Sequence, residues 1–207
     1  MGPDRALMLH HFPLRVRPAL AVLWTIDRAM AAAVAGASQP ALAAIKLAWW
    51  REALARLDHD PAPPEPRLRA VAEKLIPLGV GGAEIAAIAG GWSALLDQRP
   101  NAEASGAGGE ILFAIEGRLL GVDDPLLRPA GALAFLTDAM RRNLGDFAEQ
   151  RATLIKRLRG KHVSWRARPI TLATRLAARD LAEQEGTPGR ALALIAHRLT
   201  GLIIRED

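Results

Sequence analysis

The chain has 207 residues, half of them hydrophobic, which is enough for one sizeable core and points to a single domain, 1–207. It contains no cysteine, which excludes disulfides, thiolate metal sites and a cysteine nucleophile. The net charge of +5 favours anionic partners over cationic ones.

The opening stretch MGPDRALMLHHFPLRVRP carries charges and prolines where a signal peptide has an apolar core. Ala6 stands where a myristoylation signal has Ser or Thr. Beyond it, Ala and Leu outweigh the β-branched and aromatic residues, which favours helices over strands. Helices are predicted at about 18–36, 39–57, 67–76, 81–97, 108–121, 130–150, 169–185 and 188–202. DHDPAPPEPR (58–67), NAEASGAGG (101–109) and VDDPLLRP (122–129) read as loops. In EGTPGR (185–190), Thr187 reads as a helix cap and Pro188 as the first helical residue. No strand-like alternation persists, so the expected architecture is an all-α bundle. The apolar run ALAVLWTI (19–26) ends at Asp27 and Arg28, short of the ~20 residues of a bilayer span. A soluble, cytoplasmic protein is expected, with peripheral membrane contact as its only membrane association.

Advancing 100° per residue separates the buried and exposed faces of each helix. In 18–36 the buried arc holds Leu20, Leu23, Trp24, Ile26, Met30 and Val34, with Asp27 in its middle. In 39–57 it holds Leu42, Leu47, Trp50, Leu54 and Leu57, extended by Ile45 and Trp49, with Lys46 inside it. The same test turns Asn143, Asp180 and Arg198 inward. Asp138 groups with Arg141 and Arg142 on a polar side, where an Asp138–Arg142–Asp146 ladder is expected. Buried charge is costly without a partner. Two readings follow for the five inward residues. They form salt bridges, Asp27 with Lys46 and Asp180 with Arg198, or they are the polar floor of an apolar cavity walled by Trp24, Trp49 and Trp50.

Between Arg151 and Arg168 lie seven Lys or Arg and no acid, among them Lys156, Arg157, Arg159 and Lys161. That segment suits anionic headgroups. Gly160 and Pro169 interrupt it, so it does not read as a nucleic-acid recognition helix, and no nucleic-acid partner is expected. GAGGE (106–110) lacks the Gly-Lys-Ser/Thr of a phosphate loop, and the five histidines have no metal-ligand spacing.

Three stretches in order, ALAVLWTIDRAMAAAVAGASQPALAAIKLAWWREALARLD (19–58), GGEILFAIEGRLLGV (108–122) and RPITLATRLAARDLAEQEGTPGRALALIAHRLTG (168–201), resemble the squalene/phytoene synthase family. The resemblance implies the all-α isoprenoid synthase fold, with helices around a deep apolar cavity. Active members join two prenyl diphosphates head to head, using magnesium held by two D-x-x-x-D motifs on facing helices. Here Asp27 has Leu23 and Ala31 one turn before and after it, and Asp138 is followed four residues later by Arg142. The sequence is more similar to a divergent branch without these aspartates, which includes a mitochondrial assembly factor for respiratory complex I. The resemblance therefore implies a non-catalytic protein without cofactor, binding an isoprenoid or lipid or acting in assembly of a membrane complex. One alternative is an active prenyltransferase with a reduced magnesium site of Asp27 and Asp180, with Lys46 or Arg198 on the diphosphate. The other is an interaction protein whose inward charges are all salt bridges.

Overall fold

The computed structural model describes residues 2–179 and 181–205. Among the described residues ten helices follow in order: α1 Pro3–His10, α2 Arg17–Ala35, α3 Pro40–Arg56, α4 Pro66–Lys74, α5 Gly82–Ala94, α6 Ala102–Leu120, α7 Leu127–Arg141, α8 Ala148–Leu158, α9 Leu172–Ala177 and α10 Pro188–Thr200. Single 3₁₀ turns lie at Leu14–Val16 and Ile76–Leu78. No strand is present among the described residues, and the fold is all-α as expected.

The helix α6 sits at the centre, packed on α5 and α7; α3 covers α5, and α2 lies over α3, α4 and α5. α8 and α9 pack on α7, α10 packs on α9, and α1 closes over α2 and α10. Glycine explains how three central helices approach so closely. A Cβ on Gly109 of α6 would collide with the Gly131 carbonyl of α7, and one on Gly131 with the Gly109 carbonyl. Across the other side, a Cβ on Gly91 of α5 would lie 2.7 Å from the Gly108 Cα. The stretch 101–109 is therefore not a loop but the first half of α6, begun by the Asn101 side chain accepting from the Ala104 N–H at 2.9 Å. Backbone contact outweighs the ~1 kcal/mol per residue that glycine costs a helix.

Two further boundaries differ from expectation. α7 stops at Arg141 because Asn143 takes a left-handed φ of 58°, and the Asp146 side chain then accepts from the Ala148 N–H at 3.0 Å in the turn before the next helix. That creates α8, so the ladder forms only at its first rung, Arg142 Nε to Asp138 Oδ2 at 2.9 Å. α1 was hidden by its short length and flanking prolines; α9 keeps only six residues of the helix expected over 169–185. α10 begins at Pro188 as expected, but the Thr187 hydroxyl donates to Glu183 rather than capping the helix.

Residues 14–35 reach the length and mean hydropathy of a bilayer span (22 residues, 1.3), contrary to the sequence expectation. The stretch packs inside the fold, with Leu20, Leu23, Ile26, Met30 and Ala31 buried against the other helices.

Candidate functional site

One pocket opens between α1, α2, α5, α6, α7 and the segment 169–177, with a cavity of ≈ 120 Å³. Its walls include Met8, Trp24, Trp92, Phe113, Phe135 and Leu176. The Trp92 and Phe135 rings lie 4.3 Å apart between centroids and form one side. The cavity is close to the ~150 Å³ that holds one benzene ring, so it accommodates a short apolar segment rather than two long chains.

The floor is ionic. Asp27, at the apolar centre of α2, is buried, and both its oxygens are engaged: Trp92 Nε1 donates to Oδ1 at 3.0 Å and Arg5 Nη2 to Oδ2 at 3.2 Å. Beside it, Trp24 Nε1 donates to Glu116 Oε1 at 2.6 Å. Burial pushes the Glu116 carboxyl up to about 8, with only the Trp24 N–H and the charge of Arg5 opposing it, so it keeps its proton at neutral pH. Burial also raises Asp27, and Arg5 opposes that rise while the charge of Asp138 adds to it. Burial lowers Arg5, but the negative charges of Asp27 and Asp138 outweigh it and raise it. The Thr137 hydroxyl, buried on the same pocket, has no hydrogen-bond partner among the described residues.

A second buried pair sits at the pocket's edge. Arg190 Nε meets Asp4 Oδ2 at 2.7 Å, and Asp4 Oδ1 accepts from the Gly186 N–H at 2.9 Å. Glu183 lies 3.6 Å from Arg190 Nη1.

Of the sequence-derived pocket residues, Asp27 and Trp24 line the cavity. Trp50 is buried elsewhere, under the Arg67 guanidinium, and Trp49 is half-exposed against it in an edge contact of 4.9 Å. Lys46 is exposed, because α3 is covered along one side only and its apolar arc is wider than that contact. Asp27 therefore pairs with Arg5, not Lys46. Asn143 is exposed because α7 has ended before it. Arg198 does not point inward: its Nη1 donates to the Trp165 carbonyl at 3.1 Å and its guanidinium lies over the Trp165 ring. Asp180 lies outside the described residues. Asp138, expected on a polar side away from the cavity, lines it together with Arg141. Lys156, Arg157, Arg159 and Lys161 are exposed.

Sequence reasoning missed Glu116, Arg5, Arg190 and Trp92. For Glu116 the signal was present: on α6 the same 100° advance places it among Leu112, Phe113, Leu119 and Leu120. Arg5 and Arg190 are revealed only by partners distant in sequence.

The magnesium that the family resemblance implies does not fit these residues. Both Asp27 oxygens already accept from Arg5 and Trp92, Asp138 holds Arg142, and no group of three His, Asp or Glu among the described residues forms a metal cluster.

In comparisons with known proteins, the family model for squalene/phytoene synthase matches residues 2–76. No curated protein matches the chain, and no solved structure does. The match includes Asp4, Arg5, Met8, Trp24 and Asp27 of the pocket; Trp92, Glu116 and Asp138 lie beyond it. Residues 2–76 are thus similar to the squalene/phytoene synthase family, and the chain folds as an all-α protein.

Proposed function

We propose that the chain is a squalene/phytoene synthase-like protein that binds a single isoprenoid or lipid chain in this pocket, without metal and without condensing prenyl diphosphates. The observation that carries the reading is the closure of Asp27. In a metal-dependent site that carboxylate must be free to coordinate a hard cation, and here both oxygens are held by Arg5 and an indole. The aromatic and aliphatic walls and the ≈ 120 Å³ cavity suit one apolar segment. The unpartnered Thr137 hydroxyl suits a hydroxyl head group better than a diphosphate, given the acids around it.

The test is thermal stability with farnesol, geranylgeraniol and farnesyl diphosphate, each with and without Mg²⁺. A prenyl alcohol is expected to raise Tm equally in both conditions, and Ala173→Phe, which fills the cavity, to abolish the shift. Stabilisation by the diphosphate only with Mg²⁺, accompanied by diphosphate release, supports the prenyltransferase instead. If no prenyl compound shifts Tm, the pocket is a closed salt-bridge network and the chain an interaction protein.

A further inference from the structure

The helix α10 is apolar on two sides. Ala193, Leu194 and the buried Arg190 and His197 face the protein. Leu192, Ile195 and Leu199, at i, i+3 and i+7, form a stripe facing away from it, with exposures of 65%, 49% and 69%. A globular helix has no use for a second apolar face unless something covers it.

The surroundings of that stripe identify the cover. Trp165 is 57% exposed, with the guanidinium carbons of Arg198 and Arg168 at 3.6 and 4.9 Å from its ring centroid. Arg168 Nη1 in turn donates to the Leu199 carbonyl at 2.7 Å, so the indole is fastened to the C-terminal end of α10. The basic segment is brought to the same end by backbone pairing. The Val163 N–H donates to the Gly201 carbonyl, the Ile203 N–H to Lys161 and the Gly160 N–H to Ile204, at 2.9–3.0 Å. This brings the segment of exposed Arg159, Lys161 and Arg166 to the C-terminal end of α10, and neither α10 nor residues 151–168 contain an acid. Exposed aliphatics, an interfacial indole and a margin of cations form the chemistry of a surface that lies in an anionic bilayer interface.

We infer that the outer face of α10, with Trp165 and the basic residues 159–168, docks this protein onto anionic membrane surfaces, the aliphatic stripe entering the acyl boundary and the cations meeting the headgroups. The inference is independent of whether the pocket holds a lipid.

Vesicle co-sedimentation of the full chain tests it, with phosphatidylcholine vesicles against vesicles containing about a third phosphatidylglycerol. Binding to the anionic vesicles is expected, weakened by salt and weak on phosphatidylcholine alone. A triple variant, Leu192→Gln, Ile195→Gln and Leu199→Gln, is expected to lower it on the order of tenfold or more. Lys161→Glu with Arg166→Glu should weaken it and reduce its salt dependence. These side chains are exposed, so an unchanged Tm certifies the fold of each variant. The idea is overturned if the wild type ignores anionic vesicles, or if the triple variant binds them as well as the wild type. It is equally overturned if sedimentation shows a dimer that the triple variant dissolves, since the stripe is then covered by a second copy.

Discussion

Two neighbouring residues of α1 enter two different kinds of buried charge. Asp4 turns to the pocket's edge, where its oxygens meet Arg190 and the Gly186 N–H. Arg5 turns to the floor, where one guanidinium faces Asp27, Glu116 and Asp138. At the edge one buried guanidinium meets one buried carboxylate, and the arrangement ties the first helix to the last, 186 residues apart. At the floor two buried carboxyls, Asp27 and Glu116, share the guanidinium of Arg5, and burial keeps the proton on Glu116. A matched pair is what a latch requires. An unmatched excess of buried acid costs stability, and such a cost persists where a cavity serves something other than stability.

The largest expected effect falls on the latch. Arg190→Met keeps most of the side-chain volume but leaves Asp4 buried with one N–H donor. A loss of about 3–5 kcal/mol is expected in urea unfolding at pH 7. A loss below about 1 kcal/mol would show that the edge pair is dispensable, and the contrast between the two regions would fail.

Glu116→Gln is expected to act in the opposite direction. In the wild type the unfolded Glu ionises near its ordinary 4.5, whereas the folded one keeps its proton up to about 8. Folding therefore becomes progressively costlier as pH rises between those values and is fully penalised above them. Gln still accepts from Trp24 and cannot ionise. The variant should match the wild type near pH 4.5 and be more stable by about 2–3 kcal/mol at pH 9, after allowing for relaxation around the charged form. An equal Tm difference at both pH values would remove the protonated floor from the comparison.

Arg5→Met removes the guanidinium that faces Asp27 and Glu116. Asp27 then retains Trp92 alone. Because part of the Arg5 side chain is exposed, the expected loss is smaller than for Arg190, about 2 kcal/mol at pH 7. It should grow with pH, since without Arg5 both Asp27 and Glu116 hold their protons more tightly. A loss independent of pH would mean that Arg5 contributes packing rather than charge.

How far this site was legible in the sequence follows from where each partner lies. Asp27 was found because α2 buries a single arc, so that a charge in its middle stands out. Its partner was not, because Arg5 lies on an eight-residue helix whose face cannot be assigned from periodicity. α10 was turned the wrong way around: with apolar residues on both sides, the arc containing Ile195 and Arg198 reads as well as the one containing His197 and Arg190. The structure buries the second. There His197 Nδ1 lies 2.8 Å from the Leu202 carbonyl and Nε2 lies 2.9 Å from the Thr171 hydroxyl. α3 failed for the same reason, since Leu42 and Ile45 are exposed beside Trp49. Helix existence was readable from composition and periodicity. The glycines of α6 were not, because the carbonyls that require them belong to α7 and α5.

The smallest expected effect concerns Asp138 on α7. It accepts from Arg142, just past the end of α7, in a partly exposed ion pair, an arrangement worth less than about 1 kcal/mol. Asp138→Asn removes that pair but also relieves Asp27 of a nearby negative charge, so the two changes oppose each other. A net change within about 0.5 kcal/mol is expected in urea unfolding, with the shift in Tm by a prenyl alcohol retained. If Asp138 instead helped to hold a metal ion, the same substitution would leave stability alone but eliminate any Mg²⁺-dependent stabilisation by farnesyl diphosphate. The floor divides on this point: Glu116 and Arg5 govern stability through pH, whereas Asp138 governs it hardly at all.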